Sequence, residues 1–228
     1  CFDNTVCVSE YVLNDFKNIL DFKKPIEVLF NTIETDEIRE KSKEPTFIET
    51  SDDYINICGI GTLSKRKGFD KLIRIHNKLL REGIKQRVYI LGTGSEKCNL
   101  EKQIIENGVQ DTFILLGYDT NPYKYLNFCD LFVCSSEAEG FSTAVTESLI
   151  VGTPVVTTRC AGMEEQLGYN NEYGIITENN EASLYEGIKK IITKDGLLKH
   201  YAAKAKERSV MFDKAVTVKA VEDMLERL

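Results

Sequence analysis

Short apolar runs recur along the chain, each closed by a glycine or a polar corner and followed by a stretch of helical periodicity. Residues 54–61, 87–91, 112–116, 130–134, 155–158 and 173–177 read as strands. Between them, residues 69–82 place Phe69, Leu72, Ile73, His76, Leu79 and Leu80 on one helical face, and Gly83 stops the pattern. Helices over 96–106, 123–128, 144–150 and 182–193 continue the alternation, and residues 197–228 are helical with an interruption near Phe212-Asp213. Strands alternating with helices, without hairpin turns, predict an α/β fold: a Rossmann-like parallel sheet with helices on both faces. The runs at 54–58 and 131–134 are apolar almost throughout, as strands buried on both sides should be.

The first part of the chain reads differently. Residues 4–8 form a strand ending at Ser9-Glu10, residues 11–20 a helix and residues 25–30 a second strand. Residues 34–50 are charged, contain Pro45 and read as an irregular linker. At 228 residues, 42% hydrophobic and 29% charged, the chain can bury a sizeable core. It has no apolar run long enough to cross a membrane and no signal-peptide pattern. A formal net charge of −7 argues against broad nucleic-acid binding. Seven cysteines without clustered spacing fit neither a disulfide framework nor a zinc site and point to a reducing cytoplasm. Cys58 and Cys134 fall in strand patterns, as small core residues. The sequence opens at Cys1 without Met, so a piece of a longer protein is expected.

The chemistry concentrates in one stretch, Glu137-Ala138-Glu139-Gly140-Phe141-Ser142-Thr143-Ala144-Val145-Thr146-Glu147. A buried strand precedes it, and a short apolar helix stopped by Gly152 and Pro154 follows. Gly140 lets a ligand approach the backbone closely, and Ser142 or Thr143 can cap the helix. A helix N-terminus at the carboxyl end of a parallel strand is a ready anion site. Carboxylates beside an anion site repel phosphate, so Glu139 and Glu147 are better suited to accepting hydrogen bonds from hydroxyls. Phosphate together with several hydroxyls suggests a nucleotide sugar.

Glu139-Gly140-Phe141, seven residues between the two glutamates, and Gly152-Thr153-Pro154-Val155-Val156 resemble retaining glycosyltransferases of the GT-B fold, family 4. The resemblance implies that Glu147 holds the ribose hydroxyls and that Glu139 lies against the donor sugar as the catalytic position. It also implies that the amides of Gly140, Phe141, Ser142, Thr143, Ala144 and Val145 hold sugar and diphosphate. Gly61-Thr62-Leu63-Ser64-Lys65-Arg66-Lys67-Gly68 is similar to the family's Gly-Arg-Leu…Lys-Gly motif, with Lys67 on the diphosphate-binding lysine and Thr62 in place of the usual arginine. Either Lys65 or Arg66 substitutes for that arginine, or the diphosphate is held with fewer cations. Gly61 belongs to the same donor set. Tyr118, after Leu116-Gly117, either stacks on the base or is a surface tyrosine.

The resemblance further implies that residues 1–45 are a remnant of an acceptor domain with its linker, and residues 46–228 the donor-binding domain. The implied reaction moves a sugar from a nucleotide sugar, UDP-linked by family frequency, to a glycan or lipid-linked saccharide. The acceptor, and any peripheral contact with the inner face of a membrane, would lie with the missing domain. The separate chain would then be inactive. The motif combination looks most like bacterial enzymes of O-antigen or capsule assembly. The alternatives are a sugar-nucleotide epimerase of the same fold and a non-catalytic nucleotide-sugar-binding module. Gly92-Thr93-Gly94 reads as a structural turn, because Lys97 stands where a dinucleotide fingerprint needs its third glycine. Gly162-Met163-Glu164-Glu165 resembles a family turn in which Glu165 caps backbone. His76 and His200 have no nucleophile partner in sequence and read as structural. No cluster has metal-ligand spacing, so neither a metal nor a cofactor is expected.

Overall fold

The computed structural model describes residues 5–19, 25–48, 51 and 53–227. Asn4, Leu20, Glu49 and Thr50, at the ends of expected segments, lie outside the described residues. Two short strands, β1 (Thr5–Cys7) and β2 (Ile26–Val28), pair in parallel on either side of helix α1 (Glu10–Ile19) in sequence. Helix α2 (Thr35–Ser42) comes next. The main sheet is built from β3 (Ile55–Ile60), β4 (Gln86–Leu91), β5 (Phe113–Gly117), β6 (Leu131–Cys134), β7 (Val155–Thr158) and β8 (Ile175–Thr177). Its connections carry α3 (Phe69–Arg81), α4 (Lys97–Glu106), α5 (Tyr123–Phe128), α6 (Thr143–Val151) and α7 (Met163–Leu167). Helices α8 (Glu181–Thr193), α9 (Leu197–Ser209) and α10 (Lys214–Leu225) complete the chain, with a 3-10 turn at Val210–Phe212 where the interruption was expected.

The strands lie in the order β5-β4-β3-β6-β7-β8, and every neighbouring pair is parallel. Alternate residues of a strand face opposite sides. Ile57, Leu131 and Val133 therefore join one core with Leu72 and Ile73 of α3 and Leu184 of α8. Cys58, Phe132 and Cys134 join the other with Leu126 of α5 and Val145 and Leu149 of α6. Strands apolar on both faces thus acquire a helical layer on each. From β3 the chain moves to β4 on one side and later returns to β6 on the other, so the winding direction reverses between β3 and β6. In an open parallel sheet that reversal leaves a crevice at the carboxyl ends of the two strands.

One expectation needs correction. The segment read as an irregular linker contains α2, in which Thr35, Ile38 and Ser42 are buried. Ile38 joins the core formed with α5 and α6, while Glu37 pairs with Lys41 at 2.6 Å and Arg39 with Asp213 at 2.6 Å. A single buried isoleucine among charged residues gives almost no hydrophobic periodicity, which is why the helix escaped detection. The connection from β3 to α3 also contains a 3-10 turn, Lys65–Lys67.

His76 is buried on α3, where its Nδ1 meets Gln86 Oε1 and its Nε2 lies 2.8 Å from Thr112 Oγ1. Burial disfavours the imidazolium and pushes His76 down to about 4. A histidine with a lowered pKa contributes stability above its unfolded value, about 6.5, and loses it as pH falls through the folded value. Chemical denaturation should therefore show the native chain losing stability relative to His76→Gln as pH falls from about 6.5 to about 4, and a constant difference across that window would remove the assignment.

Candidate functional site

The loops leaving β3 and β6 lie side by side and are laced together. Ser135 Oγ donates to Lys67 O at 2.7 Å, and Glu137 N donates to Arg66 O at 2.7 Å. Gly68 is left-handed (φ 64°), and a Cβ there would lie 2.2 Å from Ser135 O. On the other flank, Gly61 N donates to Leu91 O at 3.0 Å and Leu63 N to Thr93 O at 2.9 Å. A Cβ on Gly92 would fall 1.9 Å from Gly61 O, and one on Gly94 2.3 Å from Leu63 O. The Gly92-Thr93-Gly94 turn is therefore a backbone brace for the first loop, as the structural reading expected.

Lys67 extends from this braced loop across Gly61, where a Cβ would meet Lys67 Cε at 2.9 Å. Its ammonium reaches Glu139 Oε1 at 2.6 Å, with side-chain exposures of 18% and 11%. Ser136 Oγ donates to the same oxygen at 2.6 Å. The two side chains singled out in separate motifs thus meet at the crevice. Lys67 still has further N–H donors and Glu139 a second oxygen.

Gly140 differs from the glycines that brace the loops. Its φ is not positive, and a Cβ added there meets nothing within 4 Å. The surrounding chain does not require glycine, so the open space in front of it is available to a ligand. Ser142 then caps α6, its Oγ accepting from Val145 N at 3.4 Å. Ser142 N itself donates to Gln166 Oε1 at 3.2 Å, while Gln166 Nε2 donates to Ser142 O at 2.8 Å and Thr146 Oγ1 at 2.7 Å. Of the amides expected to face a donor, those of Ser142 and Val145 are engaged within the fold. Those of Thr143 and Ala144 have no backbone or side-chain partner among the described residues. The Phe141 ring also turns away from the crevice, stacking on Phe30 at 5.3 Å and standing edge-on to Phe212.

One turn into α6, Glu147 is half-buried beside Tyr123, which forms a hydrogen bond with it. Burial pushes the Glu147 carboxyl up to about 7 against the opposing effect of that bond, and burial and Glu147 together push Tyr123 up to about 12. Beyond the β3 loop, Gly61, Thr62, Gly92, Tyr118 and Asp119 line a cleft of about 380 Å³. Tyr118 is 75% exposed there. Asp119 is not free: it accepts from Asn121 N and Tyr125 Oη and pairs with Lys124 at 2.9 Å. Lys65 and Arg66 point into solvent and form no ion pair among the described residues. Neither is held where it visibly replaces the arginine missing at Thr62.

The structure therefore brings together Gly61, Lys67, Glu139 and Gly140, followed by the Thr143 and Ala144 amides and Glu147. It leaves Lys65, Arg66 and the Phe141 ring outside that group. Sequence reasoning missed Tyr123 and Gln166, which support the site through contacts 24 residues away in each case. Glu165 does accept backbone hydrogen bonds, but from α1 rather than from its own helix. His200 lies exposed with its ring edge-on to Tyr201, and Cys58 and Cys134 are buried in the core as expected. Among the described residues, no group of His, Cys, Asp and Glu is arranged to hold a metal, and no helix is long and apolar enough to cross a membrane.

Comparison with known proteins agrees with this architecture. The chain is 36% identical over 206 residues to a Campylobacter jejuni N-acetylgalactosamine-N,N'-diacetylbacillosaminyl-diphospho-undecaprenol 4-alpha-N-acetylgalactosaminyltransferase, covering 90% of this chain and 54% of the relative. It is 26% identical over 203 residues to the lipopolysaccharide core biosynthesis glycosyltransferase LpsD of Rhizobium meliloti, covering 87% of this chain and 57% of that one. The chain thus spans about half the length of these relatives. Among solved structures, Anabaena HepE in complex with UDP superposes with a TM-score of 0.85 at 18% identity, covering 99% of this chain and 64% of HepE. A glycosyltransferase from Rickettsia africae gives 0.86 at 17% identity, with 99% and 63% covered. These likenesses identify the fold as the C-terminal domain of a GT-B glycosyltransferase. With the family profile described as glycosyl transferases group 1 matching residues 39–208, the chain belongs to that family.

Proposed function

We propose that residues 46–228 are the donor-binding domain of a retaining transferase of family 4, and that residues 1–45 belong to the acceptor domain and linker. The observation that carries this reading is the Lys67–Glu139 contact at 2.6 Å, beside the open face of Gly140 and the two unpartnered amides of α6. A cation and a helix N-terminus suit a diphosphate. A carboxylate and an uncrowded glycine suit a sugar ring, and a second carboxylate one turn on suits vicinal ribose hydroxyls. The donor is a UDP-sugar in this reading, and the acceptor a glycan or lipid-linked saccharide. The C. jejuni relative, whose name specifies a diphospho-undecaprenol-linked substrate, and UDP-bound HepE support those choices.

In this mechanism the acceptor hydroxyl bonds to the anomeric carbon on the face from which the diphosphate departs. The carbon–diphosphate oxygen bond breaks as the new bond forms, and the hydroxyl proton passes to the departing diphosphate oxygen. Lys67 and the Thr143 and Ala144 amides stabilise the charge accumulating on the departing diphosphate. Glu139 orients the sugar and faces the positive character that develops at its anomeric carbon. Ser136 and Lys67 hold that carboxylate in place before donor arrives. Glu147 holds the ribose, and Tyr118 lies at the cleft assigned to the base. Orientation of an acceptor is worth several kcal/mol of barrier, and most of that surface is assigned to chain beyond these residues.

Lys67→Ala should weaken UDP-sugar binding by about 1–3 kcal/mol, the range for charge-assisted contacts. Glu147→Ala should weaken UDP and UDP-sugar equally, because both carry the ribose. Titration calorimetry showing neither effect would dismiss the assignment.

Glu147 also sets a pH dependence. As an acid raised to about 7, it contributes stability to the free fold below its unfolded value and loses it as pH rises through 7. Ribose hydroxyls donate to the ionised form, so binding below pH 7 must first expel a proton. UDP affinity should consequently fall by up to about tenfold per pH unit below 7, and Glu147→Gln should lose that component. The separated 228-residue chain should be stabilised thermally by UDP yet transfer no sugar. Robust transfer by this chain alone would show that the acceptor site has been misplaced.

A further inference from the structure

Helix α7 touches both the loop after β6 and helix α1 from one short stretch. At its N-cap, Gly162 is left-handed (φ 72°) and so close to the sugar-facing loop that a Cβ would lie 2.5 Å from Gly140 O. Gln166 is fully buried and grips Ser142 from both directions, accepting from its N–H and donating to its carbonyl. One residue earlier, Glu165 reaches the opposite way. Its Oε2 accepts from Glu10 N at 2.7 Å and its Oε1 from Tyr11 N at 3.0 Å, across 155 positions of sequence. The next amide of α1 is satisfied locally, Val12 N donating to Ser9 Oγ at 3.1 Å.

A carboxylate on a helix N-terminus is favourable through hydrogen bonds and the helix dipole. Here the cap comes from another segment, so it determines where α1 sits. Arg208 of α9 holds the α7 backbone from behind, donating Nε to Gln166 O at 3.0 Å and Nη2 to Glu165 O. Between α1 and the loop lies a cleft of about 520 Å³, lined by Glu10, Tyr11, Glu139, Gly162, Glu165 and Tyr169 among others.

We infer that Glu165 is a positioning residue: it seats α1 at the lip of the cleft beside Glu139 and, through α7, couples that seat to the conformation of the 140–142 loop. The inference rests on the donor reading for what the loop binds, while the linkage itself is independent of it. Binding energy spent in ordering the loop would then also fix the first segment of the chain, and the reverse follows by reciprocity.

Amide hydrogen exchange on the 228-residue chain tests this, comparing native, Glu165→Ala and Glu165→Gln proteins with and without UDP. Without ligand, Glu165→Ala should speed exchange at the Glu10 and Tyr11 amides about tenfold, as expected for a lost cap, and at Ser142 and Val145 at least about threefold. The β3 and β6 amides should stay protected. Glu165→Gln keeps an acceptor oxygen and should recover most of the Ser142 protection. Saturating UDP should slow Glu10 and Tyr11 exchange in the native chain but not in Glu165→Ala, which still binds UDP. Changes confined to Glu10 and Tyr11, or a UDP effect on α1 that survives in Glu165→Ala, would overturn the coupling. If Glu165→Ala also loses β3 protection, Glu165→Gln decides: intermediate acceleration at both α1 and Ser142 supports the coupling, and acceleration at α1 alone overturns it. If the native chain does not bind UDP, the donor reading falls, and the ligand-free comparison of Ser142 still decides the linkage.

Discussion

The crevice depends on the place where the parallel sheet reverses its winding, because there two loops from distant parts of the chain must share one space. Parallel strands cannot be joined by a tight turn, so their carboxyl-end loops meet only if backbone and side chains lock them together. The Ser135–Lys67 and Glu137–Arg66 hydrogen bonds do this first, and the Lys67–Glu139 ion pair completes it. A partly buried ion pair is poor evidence of net stabilisation, since desolvation opposes the attraction. What it provides here is orientation: each charge fixes the other's rotamer at the rim, with capacity left for a third group.

Behind this rim the polar groups are arranged in layers. Gln166 satisfies three groups around the start of α6, and Thr158 Oγ1 and Cys160 Sγ both donate to Ser136 O. Buried polar networks are costly when incomplete and stiff when complete. The completed network lets the first amides of α6 remain unpaired at the surface without loosening the helix below them. Glu147 stands on the same helix, where burial drives its carboxyl toward neutrality.

Much of this was legible in the sequence, and the reasons are physical. Alternation of short apolar runs with amphipathic stretches specifies a parallel sheet almost by itself, and all six strands of the main sheet fall within a few residues of their expected limits. Lys67 and Glu139 could be read because motif glycines and charges announce loops at strand ends. Helix α2 could not, because its burial rests on Ile38 and two small polar residues. The engagement of the Ser142 amide was equally hidden: Gln166 lies in a different supersecondary unit, and a glutamine on a short helix carries no pattern of its own. The direction of the Phe141 ring was decided by Phe30 and Phe212, far away along the chain in either direction.

Most glycines near the crevice answer to steric demands inside the protein: Gly68, Gly92, Gly94 and Gly162 each face a backbone oxygen that leaves no room for a methyl group. Gly140 answers to none. A library sorted for folded protein would accept many residues at that position while rejecting most at the other four. Intolerance at Gly140 would have to originate outside the polypeptide, so comparing the two kinds of selection at one codon would trace the outline of whatever occupies the space in front of it.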